Sequence, residues 1–117
     1  MQTPGNIEKQ NELLHWQSRV ERIKKYVLAN LAADLGTGTV ADKFGLKEPT
    51  LRRLFRETET ESFHAYVERV RMAKALQLLA EGKWVKEVIP AVGYKNKCTF
   101  NNAFKKRFKQ SARFFKK

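Results

Sequence analysis

The feature that most constrains this chain is a short pattern that occurs twice: an apolar–Gly–apolar turn followed by a basic helix that ends in Phe. The clearer copy occupies residues 92–108, VGYKNKCTFNNAFKKRF, and the fainter copy occupies residues 44–56, FGLKEPTLRRLFR. Their turn glycines, Gly45 and Gly93, lie 48 residues apart. The repeat predicts two similar helical units within one chain of 117 residues.

After one extra residue in the second turn, the two copies match position by position. The matches are Leu51 with Phe100, Phe55 with Phe104, and the outward pair Arg52-Arg53 with the pair Asn101-Asn102. Two short helices joined by a tight glycine turn, with polar and basic residues outside the second helix, describe a helix-turn-helix. The major groove of DNA, about 12 Å wide, admits one such helix while the other helix braces it. The alternative is that the two copies are ordinary helical hairpins in a bundle. The presence of a second copy favours two DNA-binding helix-turn-helix units over that alternative.

Hydrophobic spacing along the chain predicts helices and no strand. The predicted segments are residues 6–34, as one helix or two, then 40–44, 48–57, 62–81, 85–92, 96–108 and a short last helix from Ser111. Asn6, Ser62 and Ser111 are predicted caps. Gly36-Thr37-Gly38-Thr39 ends the first segment, and without a following Gly-Lys-Ser/Thr it is no phosphate loop. We predict an all-α fold of about seven helices, with two helix-turn-helix subdomains joined by a long central helix.

The central helix sets how far apart the two subdomains lie. Its spacing predicts one buried face, made by Phe63, Tyr66, Val67, Val70, Ala73, Leu76 and Ala80. At 1.5 Å per residue this helix measures roughly 28 Å, which is near the ~34 Å of one DNA turn. Two recognition helices held in this way could enter successive major grooves on one side of the duplex, with some DNA bending at a cost of about a few kcal/mol.

The predicted organisation has three parts. Residues 1–19 form an N-terminal helical extension or linker, residues 20–81 form the first helix-turn-helix subdomain with its connecting helix (62–81), and residues 82–117 form the second subdomain with a basic C-terminus. The extension could link to a sensor domain outside this sequence, bind a partner, or belong to a self-contained regulator. We expect a monomer without a small-molecule ligand within this chain.

Charge is concentrated at the C-terminal end. Lys and Arg number 24 against 12 acids, for a net charge of +12, and all acids precede Lys95. Residues 95–117 contain nine bases and no acid. Such an end suggests a polyanionic partner, most often nucleic acid and sometimes an acidic membrane. A solubilising tail is disfavoured because five Phe interleave the bases. A structural protein that binds nucleic acid by charge alone is the competing function.

Other function classes lack their sequence signals. No run approaches the roughly 18 apolar residues of a membrane span, and the first ten residues are polar, so we expect neither a span nor a signal peptide. The single Cys98 excludes an internal disulfide and fits a soluble domain in a reducing cytoplasm. His15 and His64 lack metal-ligand spacing, so no metal or cofactor is expected. No acid pair or nucleophile set predicts an enzyme. Trp16 and Trp84 are predicted packing residues.

The chain resembles the DNA-binding domain of the AraC/XylS family of bacterial transcription regulators. The resemblance covers residues 39–108 and is carried by VADKFGLKEPTLRRLF, ESFHAYVERVRMAKALQLL and VKEVIPAVGYKNKCTFNNAFKKRF, while residues 20–34 resemble the first helix of the family. The resemblance also includes the Tyr-x-x-x-x-Arg pattern that Tyr66 and Arg71 form. The resemblance implies seven helices, monomeric contact with an asymmetric site through two adjacent major grooves, and usually activation by recruiting RNA polymerase.

Carried over position by position, the resemblance implies which side chains meet the bases. The implied base contacts are Pro49, Arg52 and Arg53 in the first recognition helix and Lys97, Cys98, Asn101 and Asn102 in the second. An Arg can bridge guanine O6 and N7, and an Asn can bridge adenine N6 and N7, each worth about 1–3 kcal/mol of discrimination. The predicted phosphate contacts, which add affinity rather than sequence selection, are Arg56, Lys95, Lys105, Lys106 and Lys109.

The chain departs from the family pattern at four positions. Thr60 and Lys109 stand where members commonly have Gly, so either each costs about 1 kcal/mol or the loop takes another path. Ala112 replaces a frequent Pro. Pro90 lies inside the bracing helix of the second copy, where its missing N–H is harmless only in the first turn. Elsewhere in that helix, Pro90 could kink it and mis-aim the second recognition helix.

Overall fold

Seven helices joined by short turns make up the computed structural model, which describes the backbone of residues 4–117 and the side chains of residues 15–117. The helices are α1 (Pro4–Ala29), α2 (Thr37–Lys43), α3 (Glu48–Thr58), α4 (Phe63–Ala80), α5 (Val85–Ala91), α6 (Lys97–Phe108) and α7 (Ala112–Phe115). No strand occurs in this range, and the predicted all-α fold of seven helices is confirmed. Among the helices described, none is long and apolar enough to cross a membrane.

The N-terminal part of the chain forms one helix rather than two. Helix α1 is 26 residues long and begins at Pro4, so the predicted cap at Asn6 is wrong. Proline suits a first turn because its missing N–H has no helical partner to lose there. The helix ends at Ala29, five residues before the predicted end. There the side-chain amide of Asn30 donates to the carbonyl of Tyr26 at 2.9 Å, which satisfies one of the last helical carbonyls.

The first helix-turn-helix begins earlier than predicted because Asp34 organises its start. Oδ1 of Asp34 accepts from the N–H of Gly36 at 2.9 Å, and Oδ2 accepts from the Thr39 hydroxyl at 3.2 Å. These bonds hold the chain where α2 begins, at Thr37 instead of the predicted position 40. The backbone bond, and then the hydroxyl bond, stabilise the carboxylate and hold the pKa of Asp34 below its ordinary value.

Helix α4 buries two faces, where the sequence pattern predicts one. The buried residues are Phe63, Tyr66, Val67 and Val70 in the first half and Met72, Ala75 and Leu79 in the second half. At about 100° per residue, the two sets point roughly 160° apart around the helix axis. The predicted single face is wrong at Ala73 and Ala80, which are exposed. The reason is that each half of α4 packs against a different group of helices.

Two hydrophobic cores result. The first core consists of Val20, Ile23, Val27, Leu35, Val40, Ala41, Leu51, Leu54, Phe55, Phe63, Tyr66, Val67 and Val70. The second core consists of Met72, Ala75, Leu79, Val88, Ile89, Val92, Phe100, Phe104 and Ala112. Below, α1–α3 with their loops are the first unit, and α5–α7 with theirs are the second unit. The helix α4 lies between the two units and contributes to both cores.

Aromatic rings fill much of the second core. The ring centroid of Phe104 lies 5.7 Å from that of Phe100, 4.6 Å from that of Phe108 and 5.7 Å from that of Phe115. Phe100 and Phe104 are fully buried. Phe104, Phe108 and Phe115 therefore hold α6 and α7 together and leave the bases on the outside.

The departures from the family pattern are accommodated in different ways. Lys109 takes a left-handed backbone conformation, with φ of 64°, at the end of α6. Lys109 is the only non-glycine residue with positive φ in the described backbone, so Thr60 does not adopt the left-handed conformation. The loop at Thr60 therefore follows a path that does not require glycine. Pro90 lies in the last turn of α5 rather than its first. The helix continues past it, with the N–H of Val92 donating to the carbonyl of Val88 at 3.0 Å.

Candidate nucleic-acid interface

The outward face of α3 carries the first set of predicted DNA contacts. Pro49, Arg52, Arg53 and Arg56 are all exposed, because apolar side chains fill the inward positions of the same helix. A positive-φ glycine, Gly45, turns the chain between α2 and α3. The arrangement presents three guanidinium groups to solvent from a helix of 11 residues.

The two central arginines of α3 have different neighbours within the protein. Arg52 forms an exposed ion pair with Glu48, one turn earlier on the helix. The guanidinium carbon of Arg53 lies 5.4 Å from the ring centroid of Trp16 on α1, a cation–π contact. Exposed contacts of both kinds are worth about 1 kcal/mol or less, so either arginine can exchange its partner for a DNA base. Trp16 packs against the first core, as predicted, and also contacts Arg53, which the sequence did not indicate.

The outward face of α6 carries the second set of predicted base contacts. Lys97, Cys98 and Asn102 are exposed, and Asn101 is partly exposed. The Asn102 amide nitrogen lies 3.9 Å from the Cys98 sulfur, a weak hydrogen bond. The N-terminus of α6 is capped by Asn96, whose Oδ1 accepts from the N–H of Thr99 at 2.7 Å. This face therefore presents amides, a thiol and an ammonium group, where α3 presents guanidinium groups.

The predicted phosphate contacts are accessible to solvent. Arg56, Lys95, Lys105, Lys106 and Lys109 are exposed. None of the five forms a salt bridge with a carboxylate among the side chains of residues 15–117. Their charges are therefore available to a polyanion without breaking an internal ion pair in that part of the chain.

A basic groove in the second unit adds residues that the sequence did not single out. The groove has a volume of about 1020 Å³ and runs between α5, α6 and α7. Its basic residues are Lys86, Lys95, Lys97, Lys105, Arg113 and Lys116, and both Asn101 and Asn102 line it. Lys86, Arg113 and Lys116 were missed because Lys86 lies in α5 and the other two lie in or directly after α7, and only the packing of α5 and α7 against α6 brings these two segments together. The surplus of bases in residues 95–117 was a sequence signal for Arg113 and Lys116, and it does not extend to Lys86.

Trp84 lies at the same groove and is not the packing residue that the sequence predicted. It is 59% exposed, and the Nζ of Lys116 lies 4.2 Å from its ring centroid. The reason is that Trp84 precedes α5 as its N-cap residue, outside the apolar face that begins with Val85. An exposed aromatic ring beside an ammonium group makes this wall of the groove both apolar and positively charged.

The histidines and the cysteine are separate from one another. His15, His64 and Cys98 are exposed, and the nearest acid to His64 is Glu68, with 3.9 Å between Nε2 and Oε2. Across the side chains that the structure describes, no group of three or more His, Cys, Asp or Glu residues could hold a metal ion. The clustered polar groups of this surface are thus bases and amides.

Comparison with known sequences matches residues 40–117 to a family model described as a helix-turn-helix domain. The Msm operon regulatory protein of Streptococcus mutans is 29% identical to this chain over 99 residues. The match covers 84% of this chain and 36% of that protein, so the chain spans little more than a third of the length of this relative.

Solved structures with the same arrangement come from several bacteria. The C-terminal domain of AraT, a response regulator from Geobacillus stearothermophilus, has a TM-score of 0.78 and 28% identity, with 82% of this chain and 81% of that chain covered. A transcriptional regulator with an AraC-type DNA-binding domain from Chromobacterium violaceum has a TM-score of 0.75 and 23% identity, with 85% and 89% covered. The C-terminal domain of the response regulator yesN from Fusobacterium nucleatum reaches 0.80 at 20% identity, with 86% and 99% covered. The last two likenesses show a shared fold.

Proposed function

The chain belongs to the AraC/XylS family of bacterial transcription regulators, through their DNA-binding domain, and we propose that it binds a specific double-stranded DNA site to regulate transcription. In this proposal α3 and α6 enter adjacent major grooves on one side of the duplex. The observation that carries it is the pair of matched helix-turn-helix units, each with an apolar inward face and a polar, basic outward face. Residues 20–81 and 82–117 are the proposed subdomains, each with one recognition helix.

The two recognition helices have different proposed roles in reading the site. Arg52 and Arg53 of α3 bridge guanines, and Asn101 and Asn102 of α6 bridge adenines, each bidentate contact contributing about 1–3 kcal/mol of discrimination. Pro49, Lys97 and Cys98 complete the proposed base-contacting surfaces. The support is that all seven side chains lie on the outward faces of these two helices.

The remaining bases are proposed to contact phosphates. Arg56 acts beside α3, and Lys95, Lys105, Lys106 and Lys109 act beside α6, together with Lys86, Arg113 and Lys116 of the second-unit groove. Because each neutralised phosphate releases a counterion, binding weakens steeply as the salt concentration rises. The concentration of these bases near α6 supports a larger share of phosphate contacts for the second unit.

The resemblance to the family extends the proposal to gene activation. We propose that the chain acts as a monomer and recruits RNA polymerase. In vitro transcription from a promoter that carries the selected site tests the sign of regulation. More transcript on addition of the protein supports activation, and less transcript shows a repressor.

Selection of bound duplexes from a random pool tests the central proposal. We expect an asymmetric consensus that spans roughly two helical turns, since two recognition helices in adjacent major grooves read about that length. In competition at fixed salt, the selected duplex should bind roughly 10³-fold or more tightly than unrelated DNA. Near-equal affinity for all sequences would instead support the protein that binds by charge alone.

Two double variants test the proposed division between base and phosphate contacts. Arg52→Ala with Arg53→Ala should relax base preference, because it removes the proposed guanine contacts. Lys105→Ala with Lys106→Ala should weaken binding to all sequences alike and make the salt dependence shallower by about two phosphate contacts. Identical effects of the two double variants would contradict the division.

A further inference from the structure

The first unit is attached to the middle of α4 by one side chain, Arg71. Its Nε donates to the carbonyl of Leu31 at 3.1 Å, and its Nη2 donates to the carbonyl of Ala33 at 2.9 Å. Both carbonyls belong to the loop between α1 and α2. Arg71 lies between Val70, the last α4 residue of the first core, and Met72, the first α4 residue of the second core. The attachment is therefore at the point where α4 passes from one core to the other.

The turn of the second helix-turn-helix lies against this attachment. The guanidinium carbon of Arg71 is 5.9 Å from the ring centroid of Tyr94. A methyl group at Gly93 would lie 2.7 Å from the same carbon and would collide with the carbonyl oxygen of Leu31. The backbones of the two units thus meet at Gly93 and Leu31, with Arg71 beside them. We call Leu31, Ala33, Arg71, Gly93 and Tyr94 the seam.

The seam is partly shielded from water. Arg71 and Tyr94 are half-buried. Burial lowers the pKa of Arg71, and burial raises the pKa of Tyr94. The guanidinium still carries its charge at neutral pH. Hydrogen bonds from a charged donor are about twice as strong as neutral ones. The two bonds from Arg71 therefore hold the α1–α2 loop more strongly than bonds from a neutral side chain would.

We propose that Arg71 is a positioning residue that fixes the orientation of α6 relative to α3 and thereby the half-site spacing that the chain selects. The inference rests on the proposed function, because the spacing matters only if both helices read one DNA site. Each pair of helices that packs extensively either belongs to one unit or includes α4. The two units are therefore joined mainly through α4. A single shared helix leaves the second unit able to pivot about it. The seam supplies another point of attachment, and that point removes the pivot.

Arginine suits this position because its planar guanidinium offers five N–H donors in a fixed fork. Here the fork spans the carbonyls of two residues in one loop. Lysine keeps the positive charge but has one nitrogen on a flexible stem, so Arg71→Lys should hold the loop in a less defined geometry. Arg69→Ala is the matched control. Arg69 lies two residues earlier on α4 and pairs with Glu61 of the preceding loop at 2.8 Å.

A distance measurement without DNA tests the orientation directly. Spin labels are attached to the native Cys98 on α6 and to a cysteine introduced by Glu57→Cys on α3; both positions are exposed. We expect a narrow distance distribution for the otherwise native chain and for Arg69→Ala. Arg71→Ala should widen it roughly twofold, with Arg71→Lys in between, because the bonds that hold the α1–α2 loop to α4 and the contact with Tyr94 are lost together. An unchanged width in Arg71→Ala, folded by circular dichroism, would overturn the proposal; if that variant does not fold, the width in Arg71→Lys decides.

A spacing series tests the consequence for DNA. The two half-sites found by selection are separated by the best spacing and by spacings one or two base pairs longer or shorter. Each added pair moves one half-site by about 3.4 Å and rotates it by about 34°. The native chain and Arg69→Ala should prefer the best spacing over a one-pair insertion by about 10-fold, because both helices must engage together. Arg71→Ala should reduce this preference to about threefold and leave binding to a single half-site within about twofold.

The outcomes separate this inference from the function on which it rests. An equal spacing preference in Arg71→Ala and the native chain would overturn the role of Arg71 while leaving specific DNA binding intact. A native chain that does not discriminate its half-sites from random DNA would overturn the proposed function. In that case the label distances still decide whether Arg71 fixes the two helices.

Discussion

The first and second helix-turn-helix units share one backbone plan but differ in what surrounds their turns. Gly45 and Gly93 both adopt left-handed conformations, with φ of 68° and 89°. A methyl group at Gly45 would meet nothing within 4 Å, whereas one at Gly93 would strike the backbone at Leu31 and the side chain of Arg71. The first turn is therefore open, and the second turn is a contact between the two units.

The recognition helices differ in charge as well. Helix α3 carries arginines together with acids such as Glu48, while α6 and everything after it carries bases and no acid. Guanidinium groups are suited to bidentate contact with guanine, whereas a dense set of lysines is suited to phosphates. Under the proposed function, we therefore expect the first unit to contribute more to sequence selection and the second unit to contribute more to affinity.

The largest expected effect tests whether the two cores are separable. Phe55→Ala and Phe104→Ala each remove a fully buried ring, and each should cost about 3–5 kcal/mol of unfolding free energy. Amide hydrogen exchange should show the loss of protection mainly in the unit that carries the substitution. Phe114→Ala is the control, since this ring is 67% exposed and should cost about 0.5 kcal/mol or less. Equal loss of protection in both units would show one cooperative core.

The matched glycine turns offer the next largest contrast. Gly93→Ala should lower the unfolding free energy by about 3 kcal/mol, because the left-handed strain adds to a backbone clash. Gly45→Ala should cost about 1 kcal/mol, because only the strain applies. Urea denaturation of both variants measures the difference. Similar costs for the two substitutions would mean that Gly93 does not make the close approach to Leu31.

Single substitutions in the recognition helices sharpen the proposed division of labour. Arg52→Ala should lose about 1–3 kcal/mol of discrimination at one base pair of the site, because a bidentate guanine contact is removed. Asn101→Ala should lose less, because Asn101 is partly covered and neutral. Binding to a set of sites with single base changes measures both. A greater loss of discrimination for Asn101→Ala would place sequence selection in the second unit.

The smallest expected effect concerns the two positions without the family glycine. Lys109→Gly should raise the unfolding free energy by about 0.5–1 kcal/mol, because Lys109 has a left-handed φ of 64°. Thr60→Gly should give no gain, because Thr60 avoids that conformation and glycine adds entropy to the unfolded chain. Thermal unfolding of both variants makes the comparison. Stabilisation by Thr60→Gly would contradict the loop conformation described above.

Several features were predictable because they depend on neighbours close in sequence. Ser62 accepts from the N–H of Ala65 at 3.1 Å and caps α4, as predicted. The inward residues of α3, namely Leu51, Leu54 and Phe55, are all buried. A capping residue contacts positions two or three residues away, and an amphipathic helix of 11 residues has one partner surface. Both signals are therefore visible in the sequence alone.

Other features were not predictable because they depend on distant partners. The periodic pattern of α4 suggests one buried face, but the helix has partners on two sides, which shifts burial to Met72 and Ala75. Trp84 was expected to pack and instead lies beside Lys116, which reaches it only through the packing of α7. The early start of α2 depends on the two hydrogen bonds that Asp34 accepts across the turn.

By itself, the sequence determined that this protein has two copies of one helical motif, with polar and basic outward faces and apolar inward faces. These properties reside in residue types and their spacing, which folding does not change. Only the tertiary structure decided how the copies are joined, because the bonds from Arg71 to Leu31 and Ala33 span 40 and 38 residues. Contacts over such distances leave no periodic trace in a chain, since they depend on where the packing of two cores places each backbone.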